Sequence, residues 1–476
     1  MSVFSRTSAF SRLCVLPGLS VFSGRARLRR GLCATAVGGA LLCGAVPSCG
    51  LLPGSGERNG PGSGSADDKG VNILLTGIDQ RRGMSDAEKD RLHVNGKECN
   101  CTDTMMLLHL SGDRKRVSGV SIPRDSYVPF ARHKGAPERG KINAAFKHGG
   151  PELAKRTVEL NTGVHVDHYA QVDFSRFVRA VDDMGGAEVC TDQPLWDFNS
   201  GLDLKAGHHD LDGKQALRYV RARHVSPPGD LGRNRRQQYV LASMLTALTG
   251  DRAQSDPAAM ARTANALRKS VRTDGTLTAA RMAELGSELQ GLTSRRTEFA
   301  TVPMADFDLR VPGWGSSLKW DRKRAAELFR DLREDRALTA NPHHRPPPGV
   351  RAVSLPPSAV PVQVAGTGAR AERLEDGLRK NGFRIVEGPV PAAAQSPGGR
   401  TRITYNPANE PQAQVVATAL PGAKLSLVPG HSVNATVWPG ERGAEAKKVV
   451  EDRNSVEGAA LTGDRVGGCK EQTSSS

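Results

Sequence analysis

The segment from Lys214 to Gln238 concentrates cations around a single carboxylate, Asp230. Its cations are Lys214, Arg218, Arg221, Arg223, Arg233, Arg235 and Arg236. A guanidinium group is a rigid fork whose N–H groups match pairs of phosphate oxygens. The segment therefore indicates a phosphate-binding site or, as the simpler alternative, a hydrated basic surface. Nucleic-acid binding is disfavoured, because few aromatic residues are interleaved to stack on bases.

The spacing within this segment indicates which side chains lie together. Arg221 and Arg223 would point to one face if their segment is extended, because alternate residues of a strand share a face. Arg233 and Gln237 are four residues apart and would share one face of a helix. The Pro-Pro-Gly turn at 227–229 could then bring the two pairs together.

A second group of polar residues follows predicted strands. Arg124 and Asp125 come directly after an apolar run, and binding sites of α/β sheets lie at the carboxyl ends of strands. Asp79 and Asp103 each lie beside a strand end, and two carboxylates can hold Mg²⁺ together with phosphate oxygens. Lys141 would add a positive charge. The alternatives are a local turn ion pair, turn or capping roles for the two aspartates, and a solvated lysine.

Two common catalytic motifs are missing from the sequence. There is no Gly-x-x-x-x-Gly-Lys-Ser/Thr loop, which argues against a P-loop nucleotidase. There is also no Gly-x-Ser-x-Gly nucleophile elbow. For a domain outside the membrane, where ATP is scarce, the pyrophosphate of a lipid-linked precursor is the natural anion.

The elements that must position these residues alternate between strand and helix, which predicts an α/β domain. Strands are predicted at 71–79, 104–110, 116–122 and 298–303. Residues 168–186 are predicted to pass from strand to helix, and further helices are predicted at 151–160, 213–220, 232–248, 257–271, 277–292 and 322–335.

Composition indicates several units. The chain has 476 residues, a formal net charge of +16 and 4% aromatic residues. At about 150 residues per unit, this length suggests about three units. The composition excludes a polytopic membrane protein, a collagen and a small disulfide scaffold. The predicted boundaries are a cytoplasmic segment at 1–30, a transmembrane anchor or signal segment at 31–52, a flexible linker at 53–70, a catalytic domain at 71–336 with its motif core at 71–250, a proline-rich linker at 337–360, a second small α/β domain at 361–441 and a disordered tail at 442–476.

The N-terminal apolar run predicts the location of the chain. No charged residue occurs from Gly31 to Ser55, and about 20 apolar residues suffice to cross a bilayer. Several arginines precede the run, so the positive-inside rule leaves the N-terminus in the cytoplasm. We therefore expect a single-pass cell-membrane protein with an extracytoplasmic catalytic domain. A lipoprotein modified at Cys49 and a secreted form are the alternatives.

Motifs between residues 71 and 250 resemble, in order, those of the LytR-CpsA-Psr (LCP) family of cell-wall phosphotransferases. They are GIDQR (77–81), CTDTMML (101–107), SIPRDSYV (121–128), KINAAFKHGGP (141–151), DFSRFVRAVDDMGG (173–186), LDGKQALRYVRARH (211–224) and GDLGRNRRQQ (229–238). The unit at 361–441 resembles the LytR C-terminal domain. The resemblance implies an α-β-α fold with a central mixed sheet flanked by helices.

The resemblance also implies a reaction, in which a glycopolymer phosphate moves from a polyprenyl-pyrophosphate carrier to a hydroxyl of peptidoglycan. The implied partners are the lipid-linked glycopolymer, peptidoglycan and membrane lipid, without nucleic acid. The implied cofactor is Mg²⁺, with Mn²⁺ as the alternative. By motif position, Asp79 and Asp103 would bind the metal, Arg124, Asp125, Arg221, Arg223 and Asp230 would be catalytic, and Arg81, Lys141, Arg233 and Gln237 would bind substrate. Asp125 is the candidate general base.

One position departs from the family pattern. The family has arginine two residues before the second metal-binding aspartate, and this chain has Cys101. A phosphate contact is therefore missing or comes from another residue, such as Arg81 or Arg82. This departure keeps a non-catalytic, membrane-anchored scaffold that binds wall polymer or lipid open as an alternative. A pyrophosphatase that passes the phosphate to water is the other alternative.

The cysteines of the exported part are candidates for a disulfide. In an oxidising compartment, Cys190 can pair with Cys99 or Cys101, or Cys99 and Cys101 can tie their loop. A zinc site is disfavoured, because no second cysteine pair with ligand spacing is present.

Overall fold

The computed structural model describes most of the chain after residue 69. The described ranges are 70–81, 84–94, 101–191, 194–225, 229–249, 268–345, 351–388, 399–428, 435–441 and 444–466. The predicted anchor and its alternatives at Cys49, the linker up to residue 69, most of the predicted helix at 257–271, Arg82 and Cys99 lie outside the described residues. Within the described part, no helix has the length and apolarity needed to cross a membrane.

Strands make up two main sheets and several two-stranded sheets. In chain order they are β1 (Val71–Ile78), β2 (Thr102–Leu110), β3 (Val117–Ser121), β4 (Tyr127–Pro129), β5 (Arg139–Lys141), β6 (His168–Val172), β7 (Ala187–Thr191), β8 (Leu195–Asp197), β9 (Leu202–Leu204), β10 (Gly207–Leu211), β11 (Arg272–Thr273), β12 (Thr297–Thr301), β13 (Met304–Val311), β14 (Gly315–Trp320), β15 (Arg351–Val353), β16 (Pro361–Val364), β17 (Arg384–Ile385), β18 (Arg402–Tyr405), β19 (Lys424–Leu427), β20 (Thr436–Trp438), β21 (Val449–Glu451) and β22 (Leu461–Thr462).

Helices cover both faces of the first sheet and flank the second. They are α1 (Asp86–Arg91), α2 (Ala144–Thr162), α3 (Phe174–Asp183), α4 (Gly213–Arg221), α5 (Gly229–Thr249), α6 (Ala279–Glu288), α7 (Arg322–Arg333), α8 (Ala369–Lys380), α9 (Glu410–Ala419), α10 (Arg453–Glu457) and α11 (Gly463–Val466). The start predicted at Pro151 is a kink inside α2, where Gly149 and Gly150 leave the helical conformation.

The central sheet is mixed, as predicted. Its seven strands run in the order β11-β6-β1-β2-β3-β12-β22. The β1–β6 and β3–β12 pairs are parallel, whereas β1–β2 and β2–β3 are antiparallel. Each residue of a strand faces the side opposite to its neighbour. Leu74 accordingly packs with the cluster that includes α2 and α7, while Ile73 and Leu75 face the side of α5 and α6.

The second domain is a small α/β unit, also as predicted. Its five strands run in the order β17-β16-β20-β18-β19. Leu374 of α8 and Val416 of α9 pack with Val362, Ile403 and Val437 of the sheet in one buried cluster. The unit therefore has a core of its own.

Two predicted boundaries were wrong. The proline-rich linker at 337–360 was expected to be unpacked, but Val353 and Val360 are buried in the core of the second domain. The tail after 442 was expected to be disordered, but residues 444–466 are ordered. There β21 pairs with β15, and β22 adds an edge strand to the central sheet beside β12. The many prolines of the first segment and the charged residues of the second led to these predictions. The few apolar residues in each segment are nevertheless enough to pack it against a domain.

Candidate active site

A cavity of about 700 Å³ lies between the central sheet and α3, α5 and α6. Its walls are largely aliphatic. The sheet contributes Ile73, Leu75, Met106 and Leu108, and the helices contribute Leu241, Met244, Leu245, Leu248, Met282 and Leu289 among others. Along α5 the lining residues extend from Arg233 to Leu248, which corresponds to about 22 Å of helix. Such a space suits a long apolar chain.

One end of this cavity is polar, and we call it the arginine mouth. It consists of Asp103, Arg124, Arg221, Arg223, Arg233 and Gln237, all of which line the cavity. Asp103 lies near the start of β2, and Arg124 follows β3. Arg221 is the last residue of α4 and Arg223 follows it, while Arg233 and Gln237 lie in the first turns of α5. The sequence analysis named each of these residues. The structure brings them together, although Asp103 and Gln237 are more than a hundred positions apart in the sequence.

Asp103 owes its place to an irregularity between β1 and β2. Thr102 pairs with Ile78 and Thr104 pairs with Gly77, so Asp103 is an extra residue in its strand. A bulge of this kind re-aims a side chain and often borders a functional site. The carboxylate of Asp103 accepts a hydrogen bond from Arg124 Nη1 at 2.5 Å.

Asp230, at the start of α5, joins three arginines. Its Oδ1 lies 2.9 Å from Arg223 Nε and 3.4 Å from Arg233 Nη2, and its Oδ2 lies 3.7 Å from Arg124 Nε. Burial alone would raise the pKa of Asp230, but the three guanidinium groups and a hydrogen bond with Asp125 hold that pKa below its ordinary value. Asp230 is therefore an anion at neutral pH that positions the arginine forks.

Arg233 is the most buried cation of the mouth. Its Nη2 donates to the carbonyl of Asp103 at 3.2 Å, and its side chain is 7% exposed. Within the described residues, its buried Nε has no hydrogen-bond partner. Burial lowers the pKa of Arg233 despite the opposing charge of Asp230. Positive charge is thus incompletely compensated here, and an added anion would stabilise the mouth.

Arg221 and Arg223 do not form the extended pair that their spacing suggested. Arg221 is the last residue of α4, stacks over the ring of Phe174 at 5.1 Å and donates to the carbonyl of His93 at 2.8 Å. Arg223 turns to Asp230 instead. The helix ends at Arg221 and Ala222 is its C-cap, so the two arginines are not in one extended segment, although both line the cavity. Burial and the nearby Arg81 lower the pKa of Arg221.

Arg233 and Gln237 share one face of α5, as predicted from their spacing. Both line the cavity, and Gln237 Nε2 donates to the carbonyl of Val220 at 3.4 Å. The helix is fixed by Gln238, whose Nε2 donates to Ser121 Oγ at 2.9 Å and to the carbonyl of Ala300 at 3.0 Å. These bonds tie α5 to the sheet beneath the mouth.

The remaining predicted residues lie behind the mouth and do not line the cavity. Arg81 donates to both oxygens of Asp79, from Nε and from Nη2, at 2.6 Å each. Lys141 Nζ lies 3.0 Å from Asp125, whose side chain is 24% exposed. Arg81 is therefore engaged with the predicted metal ligand instead of facing the cavity. Asp125 is half-buried beside Arg124.

Asp79 is close enough to Asp103 for the charge of Asp103 to act on its pKa. Burial raises the pKa of Asp79, its bonds to Arg81 lower it, and the charge of Asp103 raises it again, with a net increase. Carboxylates keep lone pairs beyond those used by one arginine. Within the described ranges, no group of three or more His, Cys, Asp or Glu can hold a metal ion. A divalent cation at this pair would therefore need its other ligands from phosphate oxygens and water.

The sequence analysis missed Asp197. Its buried carboxylate accepts backbone N–H bonds from Asn199, Ser200, Arg223 and His224 at 2.7–3.3 Å. Burial would raise the pKa of Asp197, but these four donors lower it on balance. Asp197 thereby fixes the backbone of Arg223 beside the mouth. The signal was the polar turn sequence Asp-Phe-Asn-Ser, in which a short acceptor side chain meets following N–H groups.

Oxidised cysteines border the same region. Cys101 and Cys190 are both disulfide-bonded, as expected for an oxidising compartment. Cys101 precedes β2 directly, and its carbonyl accepts from the N–H of Asp79 at 3.4 Å. The family's arginine is therefore replaced here by a covalently tethered residue.

Comparison with known proteins decides the family. The model of the LytR_cpsA_psr family matches residues 55–334, more than half of the chain. The chain belongs to the LytR-CpsA-Psr family. A second family, described as LytR cell envelope-related transcriptional attenuator, matches residues 360–437 and coincides with the second domain.

Curated relatives of this LytR-CpsA-Psr protein carry cell-wall names. It is 37% identical over 283 residues to the probable cell wall biosynthesis protein LcpB of Corynebacterium glutamicum, covering 57% of this chain and 63% of that protein. It is 32% identical over 280 residues to the cell wall biosynthesis protein LcpA of the same organism, covering 53% and 54% respectively. The chain thus spans less than two thirds of either relative.

Solved structures also resemble this LytR-CpsA-Psr chain. The crystal structure of B. subtilis TagV is 24% identical, has a TM-score of 0.46 and covers 57% of this chain and 99% of that one. The LytR-Csp2A-Psr enzyme from Actinomyces oris is 20% identical, has a TM-score of 0.43 and covers 56% and 91% respectively.

Proposed function

We propose that this protein transfers a glycopolymer phosphate from a polyprenyl-pyrophosphate carrier to a hydroxyl of peptidoglycan during cell-wall assembly. One observation carries the proposal: an aliphatic cavity of about 700 Å³ ends at a cluster of four arginines, of which Arg233 is buried. A polyprenyl pyrophosphate has the same division into an apolar chain and a doubly charged head. Family membership and the cell-wall names of the relatives support this assignment.

The donor would lie with its chain along α5 and its pyrophosphate in the arginine mouth. Arg233 and Arg221 carry positive charge that burial leaves incompletely compensated, so they would gain most from the anion. Guanidinium forks bind phosphate oxygens in pairs. The transition state spreads negative charge over the transferred phosphoryl oxygens, and preorganised cations stabilise that charge.

The reaction would break one phosphoanhydride bond and form one phosphodiester bond. The acceptor hydroxyl oxygen attacks the phosphorus that carries the glycopolymer, and polyprenyl phosphate leaves with the bridging oxygen. The hydroxyl proton passes to Asp125, which is half-buried next to Arg124 and is held by Lys141. Asp230 keeps Arg124, Arg223 and Arg233 oriented.

A divalent cation, Mg²⁺ or Mn²⁺, would be held by Asp79 and Asp103 and would neutralise part of the pyrophosphate charge. The protein would act outside the cell membrane, anchored by its N-terminal segment.

Supplying labelled lipid-linked glycopolymer with and without an acceptor glycan tests the proposal. We expect label on the glycan only when the acceptor is present, together with release of polyprenyl phosphate. Arg233→Ala should abolish both products, whereas Arg310→Ala, which removes an exposed arginine of the β13–β14 hairpin, should leave both unchanged. Release without attachment under both conditions would instead identify a pyrophosphatase. Donor binding without any turnover would identify a scaffold.

A further inference from the structure

A second cavity of about 450 Å³ adjoins the arginine mouth on the outside of the β8–β9 hairpin. Asp197 and Asn199 line both cavities. Around the second one, Trp196 and Phe198 are 67% and 79% exposed. Single apolar residues on a surface are common, but two neighbouring aromatic side chains beside a site are not. The chain has only four tryptophans, which makes an exposed one more informative.

The hairpin that carries these aromatics is anchored to the mouth. Leu195, Leu202 and Leu204 point inward and are buried in the cluster beneath. Asp197 fixes the turn and the backbone of Arg223 through its four N–H acceptor bonds. The exposed aromatic surface therefore keeps a constant position relative to the arginines.

Trp196 and Asp203 are directly opposite each other across the two strands. An aromatic face offers apolar contact to the C–H face of a sugar ring, and a neighbouring carboxylate accepts hydrogen bonds from its hydroxyls. Among the described residues that line this cavity there is no lysine or arginine, whereas Asp197 and Asp203 are both present. The carboxylate of Asp203, which is exposed, would repel a phosphate-bearing polymer but not an uncharged chain of sugars.

We propose that Trp196, Phe198 and Asp203 form the docking site for the acceptor, an uncharged glycan strand, whose hydroxyl is thereby brought to the mouth. Continuity through Asp197 and Asn199 places the acceptor beside the pyrophosphate. This inference rests on the proposed function. It assigns the glycan to the outer cavity and leaves the donor's apolar chain in the inner one.

Binding of a chitin-type oligosaccharide to the full chain tests this site without turnover. Trp196→Ala and Phe198→Ala should each weaken that binding by at least about tenfold, as expected for central aromatic anchors. Trp196→Tyr should restore part of it, and Leu160→Ala, which removes another exposed apolar side chain, should have no effect. Binding of a prenyl pyrophosphate should be unchanged in all four variants.

Unchanged oligosaccharide binding in Trp196→Ala and Phe198→Ala would overturn the acceptor site while leaving the donor site intact. Sedimentation with vesicles of anionic phospholipid provides a further arm. Loss of vesicle binding in the two alanine variants, with unchanged oligosaccharide binding, would overturn the proposal in favour of a membrane contact. Failure of the wild-type chain to bind prenyl pyrophosphate would instead contradict the proposed function itself.

Discussion

Arg124 and Asp103 form an ion pair at one edge of the central sheet, where Arg124 Nη1 lies 2.5 Å from Asp103 Oδ1. Asp103 lies near the start of β2, and Arg124 follows the end of β3. The two strands are antiparallel neighbours whose pairing ends at Met106 and Ser121, so the start of β2 and the end of β3 lie at the same edge. The pairing of β2 with β3 therefore joins the predicted metal ligand to the first of the predicted phosphate-binding arginines.

Replacing Arg124 should disable transfer. We expect Arg124→Ala to reduce the transfer rate by at least about a hundredfold, because one preorganised donor to the transition-state charge is lost. Arg124→Lys should recover only part of the rate, since an ammonium group lacks the guanidinium fork. Rates measured with lipid-linked donor and acceptor glycan check this. Unaltered transfer by Arg124→Ala would show that the mouth is not the reaction centre.

The apolar cavity should discriminate donors by chain length. Gly286 of α6 lines the cavity, and a Cβ built on it would meet no atom within 4 Å. The phenylalanine side chain of Gly286→Phe should therefore fill part of the cavity proposed for the prenyl chain. Each CH₂ group displaced from the cavity costs roughly 0.8 kcal/mol of binding free energy, so binding of long-chain prenyl pyrophosphates should weaken by about tenfold or more. Geranyl pyrophosphate should bind as before.

Gly275→Phe is the matched control for this change, because Gly275 also has open space around its Cβ position and does not line the cavity. Calorimetric titration with the two lipids provides the measurement. Equal affinity of wild type and Gly286→Phe for the long chain would place the lipid elsewhere.

Much of this arrangement was predictable, because it depends on local pattern. The strands before Asp79 and Arg124 are apolar runs, and the pairing of Arg233 with Gln237 follows from helical spacing alone. The position of Arg221 at the end of a helix was not predictable, because it depends on where α4 ends and on the ring of Phe174. Asp197 was missed, since its role lies in four backbone bonds that only the folded chain assembles.

The C-terminal segment was the largest error, and its packing is itself testable. Asn454 accepts from the N–H of Met304 and donates to its carbonyl, both at 2.7 Å. Asn454→Ala should lower the free energy of unfolding by about 1–3 kcal/mol, since buried backbone groups lose their partners. Asn409→Ala should have little effect, because the side chain of Asn409 makes no capping bond. Chemical denaturation measures both, and equal stability would show that the segment is not integral to the first domain.

The stability contribution of Asp197 should depend on pH. Its pKa is lower in the folded state, so the contribution is complete above the ordinary carboxyl pKa of about 3.9 and is lost as pH falls through the folded pKa. At pH 7 we expect Asp197→Asn to cost about 2–3 kcal/mol, as for hydrogen bonds to a charged group. Thermal unfolding from pH 7 to pH 2 should show the wild-type advantage shrinking below about pH 4. A constant difference would contradict this role.

Divalent cations should be required for turnover. Chelation with EDTA should reduce transfer by at least about tenfold, because charge on the reacting pyrophosphate and on the departing polyprenyl phosphate is then less neutralised, and Mg²⁺ should restore it. Asp103→Asn should raise the Mg²⁺ concentration needed for half-maximal rate. Full activity in EDTA would show that the arginines alone neutralise the substrate.

The most direct measurement is a crystal structure of the full chain with a long-chain prenyl pyrophosphate. We predict phosphate oxygens within hydrogen-bonding distance of Arg124, Arg221 and Arg233, and the prenyl chain between the central sheet and α5. Density for the phosphates on another surface, or a prenyl chain outside the cavity, would contradict the assignment of the donor site.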